Sequence, residues 1–132
     1  MDQGPLVIEE IDAGAELARQ FDKYEPIEVA FWLKASDDEH RFLYIASERI
    51  NGSNIDTGYG EVLRLAGKIN SPFLDAFRVK LVNVDDQLAK AAVEVNHRFP
   101  GRMATRFGGK SFGGLPVDDV YVYPSPLPAA GK

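Results

Sequence analysis

The sequence contains no cysteine and only two histidines, His40 and His97. The missing cysteine excludes disulfides, thiolate metal sites and thiol nucleophiles, and it is compatible with a reducing compartment. No apolar run approaches the roughly 18 residues that a membrane helix needs. The first residues also lack the basic and apolar regions of a signal peptide. We therefore expect a cytoplasmic protein that does not enter a membrane.

The overall composition is that of an ordinary globular domain. The chain has 132 residues, of which 45% are hydrophobic and 27% charged, enough to bury a core as one domain. The net charge of −5 is unevenly distributed, because residues 1–62 hold 14 acids and 5 bases whereas residues 63–132 hold 6 acids and 10 bases. An acidic chain argues against non-specific coating of nucleic acid, but a local basic surface remains compatible with these numbers.

Hydrophobic periodicity predicts eight elements in the order α-β-β-α-β-α-β-β. The helices are expected at 12–24, 58–70 and 85–99, and the strands at 27–34, 41–47, 77–84, 103–107 and 117–123. Before these eight, residues 6–8 are expected to form a short strand or an arm. Each helix has one apolar face, as Ile11, Ala15, Ala18 and Phe21 show for the first. We predict an α+β fold of two layers, with about three helices on one face of a mixed, largely antiparallel sheet of four to five strands.

Strand order is partly readable from these patterns. The strand at 41–47 is apolar on both faces, which is typical of a central strand. A short polar connection at 36–40 predicts that it forms an antiparallel hairpin with 27–34. The connection to 77–84 is long enough for a parallel crossover. The domain is expected to span residues 1–123, with a flexible tail at 124–132 that is rich in proline.

The segment 98–114 combines four cations with two glycine pairs and has no acid before Asp118. We call it the basic segment; its candidate binding residues are Arg98, Arg102, Arg106, Lys110 and Phe112. Pro100-Gly101 and Gly108-Gly109 break any helix here, so the cations are expected along a loop or strand. Three interpretations stay open. The segment holds an acidic partner protein, binds nucleic-acid phosphate while an aromatic ring stacks on a base, or pairs with the acidic first half of the chain.

Trp32 is a further candidate binding residue. It lies on the polar face of the strand at 27–34, with Glu28 and Lys34. An exposed tryptophan is a typical interface anchor. The alternative is that a helix or the N-terminal arm covers it.

Known nucleotide and metal motifs match poorly. Residues 104–111 end in Gly-Lys-Ser but lack the first glycine of a phosphate-binding P-loop, and the sequence that follows is not a helix start. Gly58-Tyr59-Gly60 has leucine where a dinucleotide fingerprint needs its third glycine. Asp37, Asp38, Glu39 and His40 are consecutive in a turn, where they cannot readily converge on one ion. No cofactor and no metal are expected.

Catalysis remains an alternative. His97 or His40 could act as the acid or base of an enzyme for an anionic or phosphorylated substrate, with a carboxylate as its partner. A nucleophile motif such as Gly-x-Ser-x-Gly is absent from the sequence, which leaves such an enzyme without an identified nucleophile.

The last predicted strand, at 117–123, is rich in valine and tyrosine. If it lies at an edge of the sheet, it offers unpaired backbone groups to a second copy. A homodimer through this strand is the corresponding expectation.

Three stretches resemble a set of short, uncharacterised bacterial proteins. They are Ala30-Phe-Trp-Leu-Lys34, Phe42-Leu-Tyr-Ile-Ala-Ser47 and Gly114-Leu-Pro-Val-Asp-Asp-Val-Tyr-Val-Tyr123. The resemblance covers roughly residues 12–123 in the order of their elements. It implies an α+β domain, and it brings no activity and no catalytic residues.

Overall fold

The computed structural model describes residues 6–100, 103–125 and 127. Within these ranges the chain forms three α-helices, one 3₁₀ helix and six strands. Their bounds are α1 Ile8–Tyr24, β1 Val29–Ala35, β2 Phe42–Ala46, α2 Ile55–Ile69, η1 Ala76–Arg78, β3 Val79–Val82, α3 Gln87–Arg98, β4 Thr105–Phe107, β5 Lys110–Phe112 and β6 Leu115–Val122. The α+β class and the element order are confirmed. Arg102 and most of the predicted tail 124–132 lie outside the described residues.

The first helix begins earlier than its apolar pattern indicates. It opens at Ile8, so a strand at 6–8 is wrong, while Leu6 precedes the helix and is buried in the core. The Glu10 carboxylate accepts a hydrogen bond of 3.1 Å from the backbone N–H of Val7, and an acidic first turn stabilises a helix N-terminus. The third helix is capped by Asp86, one residue after the position where the sequence predicts the helix to begin. Its Oδ1 accepts hydrogen bonds from the N–H groups of Leu88 and Ala89 at 2.8 and 3.3 Å.

The strands form one mixed sheet in the order β3-β2-β1-β6-β4, and β5 also pairs with β6. The predicted antiparallel hairpin of β1 and β2 is confirmed, and β2 lies centrally as expected. The strands β2 and β3 are parallel, with α2 in the crossover between them. The pairing of β4 and β5 with β6 follows one register around the turn at Gly113 and Gly114. Both glycines have positive φ, 59° and 84°, as a two-residue hairpin turn of type I′ requires.

The helices cover both faces of the sheet, so the expectation of two layers with every helix on one face is wrong. On one face, α1 and α2 pack through Phe21, Val62 and Leu65 against strand residues that include Trp32 and Ile45. On the other face, α3 packs through Ala89 and Ala92 against a second cluster. The second cluster takes its strand residues from Val29, Phe31, Leu33, Tyr44, Ala46, Val117, Val120 and Val122.

Coverage of both faces explains why β1 and β2 are apolar on both sides over most of their length, where their side chains are buried. None of the helices in the described part of the chain is long and apolar enough to cross a bilayer.

Candidate functional site

The basic segment runs from the end of α3 to the hairpin turn at Gly113 and Gly114. Arg98 is the last residue of α3, the connection follows, and β4 and β5 then form a border of the sheet on β6. The outer side of this border has no strand partner among the described residues. The segment is therefore partly loop and partly edge strand, as the glycine and proline pairs predicted.

Arg98 lies on the surface and makes a weak intramolecular contact. Its guanidinium is 3.1 Å from the carboxylate of Glu94, one helical turn earlier, and both side chains are about two-thirds exposed, at 65% and 63%. An exposed i,i+4 pair contributes only about 0.3–0.5 kcal/mol. Arg98 can therefore exchange this carboxylate for one on a partner at little cost.

Arg106 is held within the fold. Its Nε and one terminal nitrogen donate to the two carboxylate oxygens of Asp119, at 3.2 and 3.0 Å. The contact follows from strand register, because Arg106 lies opposite Tyr121 and Asp119 is two residues along β6 on the same face. The guanidinium of Arg41, a buried side chain, lies 3.5 Å from the same carboxylate. Burial lowers the pKa of Arg41, and the charge of Asp119 opposes that shift.

The carboxylates paired with Arg98 and Arg106 belong to Glu94 and Asp119, in the second half of the chain. The expected pairing of these two cations with the acidic first half is therefore wrong. Lys110 begins β5 opposite Val117, while its side chain and the whole of Arg102 lie outside the described part.

Phe112 and Trp32 are core residues. Phe112 is 3% exposed and packs with Phe31 and Phe107, at ring-centre distances of 5.8 and 5.5 Å. Trp32 is 5% exposed, so the alternative in which a helix covers it is the correct one. Neither ring can stack on a base or anchor a partner in this fold. The nucleic-acid interpretation, which used Phe107 and Phe112 as stacking rings, thereby loses Phe112, while Phe107 is partly buried.

Two apolar residues that follow Arg98 in the chain are exposed, and the sequence patterns did not identify them as candidate binding residues. Phe99 follows α3 and is 56% exposed, and Met103 is 84% exposed. In the sequence, Phe99 continues the apolar spacing of Leu88, Ala92 and Val95, which predicts a position on the buried face of the helix. The helix ends at Arg98, so Phe99 leaves that face. The adjacent Pro100 was the available signal that the helical periodicity ends here.

The two histidines lie apart. His97 is exposed and lines a depression of about 380 Å³ together with Glu28 and Glu94. His40 lies in the loop that joins β1 to β2, at the far end of β1, where its backbone N–H donates to Asp38. The basic segment contributes neither Arg98 nor Arg106 to the lining of the His97 depression. The geometry therefore does not bring a histidine together with those cations.

Two further predictions concern metal binding and a homodimer formed through β6. Within the described ranges, no group of three or more metal-type side chains is placed to hold an ion. The strand β6 pairs with β1 on one side and with β4 and β5 on the other. Its backbone groups are already used inside the chain, so a homodimer formed through this strand is not available in this fold.

Comparison of the chain with protein-family models, curated proteins and solved structures finds no match. The candidate surface is defined by three exposed residues, Arg98, Phe99 and Met103, and their chemistry is the basis for a proposed function.

Proposed function

We propose that the chain is a non-catalytic binding module that holds an acidic partner protein with its basic segment. The observation that carries this proposal is the exposure of Phe99 and Met103, at 56% and 84%, beside the exposed Arg98. Aromatic residues, methionine and arginine are enriched at the centres of protein interfaces, and a few such residues supply most of the binding energy.

The charge of the segment defines the partner. Between residues 98 and 114 there are three arginines, one lysine and no acid. Within the described residues, Arg98 is engaged only by an exposed helical ion pair, which a partner's carboxylate can replace. An acidic surface with an apolar centre complements this combination, and long-range attraction would speed the encounter.

The experiment is affinity capture from a lysate of the source organism, with nuclease-treated and untreated samples. The variants are Arg98→Glu and the double variant Phe99→Ser with Met103→Ser. Arg106 is left unchanged, because a glutamate there would meet Asp119 and disturb Arg41, so that unfolding and loss of binding would be confused.

Matched controls lie on α2. Arg64 pairs with Glu61 on the surface as Arg98 pairs with Glu94, and Leu63 is an exposed apolar residue at 51%. We expect an acidic protein to be captured by the wild type and by Arg64→Glu and Leu63→Ser, with or without nuclease, and to be lost with the two test variants. Capture that is equal for every bait, or that disappears with nuclease, would contradict an acidic protein partner at this surface.

A further inference from the structure

A second candidate site lies along α3, in the helical turns that precede Arg98. One stripe of the helix, Lys90, Val93, Glu94 and His97, faces Glu28 and Val84 across a depression of about 380 Å³. An adjoining depression of about 120 Å³ shares Glu28, Val93 and His97, so the two are continuous. The larger volume falls within the range of about 300–1,000 Å³ that is typical of small-molecule sites.

The topology places this depression where open α/β sheets bind ligands. The parallel strands β2 and β3 are followed by helices on opposite faces, α2 on one and α3 on the other. When the helices that follow two neighbouring parallel strands lie on opposite faces of the sheet, a crevice forms at the carboxyl ends of those strands. Glu28 is fixed at that end, since its backbone N–H donates to the carbonyl of Ala46, the last residue of β2, at 2.7 Å. Val84 follows the end of β3.

Three charged or titratable side chains in the lining have no polar partner in the part of the chain that the structure describes. Within residues 6–100, 103–125 and 127, the side chains of Glu28, Lys90 and His97 make no hydrogen bond or ion pair, whereas Glu94 is engaged by Arg98. Val84 and Val93 supply the apolar part of the lining. One ammonium, one imidazole, two valines and two carboxylates thus surround the same open volume, and of the carboxylates Glu94 is paired with Arg98.

We infer that this depression binds a free aliphatic α-amino acid. The ammonium group of the ligand pairs with Glu28, its carboxylate pairs with Lys90 and receives a hydrogen bond from His97, and its side chain contacts Val84 and Val93. The site matches a ligand that carries both charges, because a ligand with only one of them leaves either Glu28 or Lys90 without a partner. This site adjoins the surface at Arg98, Phe99 and Met103, because Glu94 lines the depression and also pairs with Arg98.

The test is a titration of the ¹⁵N-labelled full chain with L-leucine, followed through its amide chemical shifts. Two comparison ligands keep the carbon chain and remove one charge each: 3-methylbutylamine lacks the carboxylate and 4-methylpentanoate lacks the ammonium group. We expect saturable shifts at residues 28, 84 and 90–97 with leucine. Each comparison ligand should bind about two- to fivefold more weakly, the equivalent of one exposed ion pair.

Protein variants complete the design. Glu28→Gln and Lys90→Gln should each weaken leucine binding by about two- to fivefold, as loss of an exposed ion pair does, while thermal unfolding stays unchanged because both residues are exposed. Glu9→Gln and Lys68→Gln, exposed residues on α1 and α2, should bind leucine as the wild type does. The inference is overturned if leucine gives no saturable shifts at these residues, if either comparison ligand binds as tightly, or if the two test variants bind normally. None of these variants alters Arg98, Phe99 or Met103, so the outcome is independent of partner capture.

Discussion

The indole Nε1 of Trp32 donates a hydrogen bond of 2.9 Å to the hydroxyl oxygen of Tyr123. The hydroxyl of Tyr123 in turn donates to the backbone carbonyl of Ile11 in α1. These contacts join β1, the residue that follows β6, and the first helix inside the core. Because a buried N–H without a partner is costly, this pairing stabilises the inward orientation of Trp32.

Replacement of Tyr123 by phenylalanine should lower the free energy of unfolding by about 1–3 kcal/mol. The ring remains in place, but the buried N–H of Trp32 loses its acceptor. Urea denaturation, followed by the fluorescence of the single tryptophan, measures the change. Tyr24→Phe is the control, since Tyr24 is 40% exposed and a surface change of this kind stays within about 0.5 kcal/mol. Equal losses in the two variants would contradict a specific role for the Trp32 contact.

The same tyrosine makes stability sensitive to alkaline pH. Burial raises the pKa of Tyr123, and it also raises the pKa of Tyr44 and Tyr121. In the unfolded chain these phenols ionise near pH 10, while the folded chain retains their protons. The unfolded state then binds fewer protons, so the free energy of unfolding falls as the pH rises past about 10. Denaturation across this range should show a shallower decline for Tyr123→Phe than for the wild type; parallel declines would rule out this contribution.

The arrangement of helices around the sheet shows what sequence patterns leave open. An apolar stripe identifies the face that a helix buries, and the stripes of α1 and α3 were read correctly at Ala18 and Ala92. It does not say which side of the sheet the helix covers. The pertinent signal lay in β1, where Ala30 and Trp32 occupy the face assigned to solvent. Two apolar faces on β2 also indicated cover on both sides.

The sequence predicts the candidate surface only in part. The clustering of cations at 98–110 is a property of the sequence, but the pairing of Arg106 with Asp119 depends on strand register. Register follows from the turn, and the sequence offered two glycine pairs as turns. Only the pair at Gly113 and Gly114 places Arg106 opposite Tyr121 and so within reach of Asp119. Long-range pairing of this kind requires the fold itself.

The close approach of α1 to the sheet at Gly14 gives a third prediction. A Cβ atom added to Gly14 would lie 2.6 Å from the hydroxyl oxygen of Tyr123 and 3.0 Å from the indole ring of Trp32. Both rings are buried and hydrogen-bonded to each other, so they cannot move aside freely. Gly14→Ala should therefore destabilise the fold by about 1–3 kcal/mol, as overpacking of a core does.

Gly67 provides the matched substitution. It lies within α2, is exposed, and an added Cβ would meet nothing within 4 Å. Gly67→Ala should stabilise the protein by about 0.5–1 kcal/mol, since alanine favours the helical conformation. Thermal or urea unfolding should thus give opposite signs for the same chemical change. A stabilising Gly14→Ala would refute the close contact between the first helix and the two rings.

Asp119 and its neighbour Asp118 give a fourth prediction, because adjacent carboxylates have different environments. The Asp119 side chain is 19% exposed and lies beside Arg41, which is 4% exposed, and beside Arg106. Asp119→Asn keeps the size of the side chain but leaves the charge of Arg41 buried beside a neutral amide. Removal of one partner from a largely buried ion pair should lower the free energy of unfolding by roughly 2–4 kcal/mol. Urea denaturation at neutral pH measures this loss.

Asp118→Asn should cost less, because the Asp118 side chain is 52% exposed and its partner Lys34 also donates to the carbonyl of Asp38 at 2.8 Å. Hydrogen bonds from Lys34 and Ser36 lower the pKa of Asp118. Its contribution is therefore present above the unfolded-state pKa of about 3.9 and is lost as the pH falls through the lower folded value. The stability of Asp118→Asn should approach that of the wild type in acid, whereas at neutral pH it lies between the wild type and Asp119→Asn. A larger loss at Asp118 than at Asp119 would mean that exposure does not set the strength of these two ion pairs.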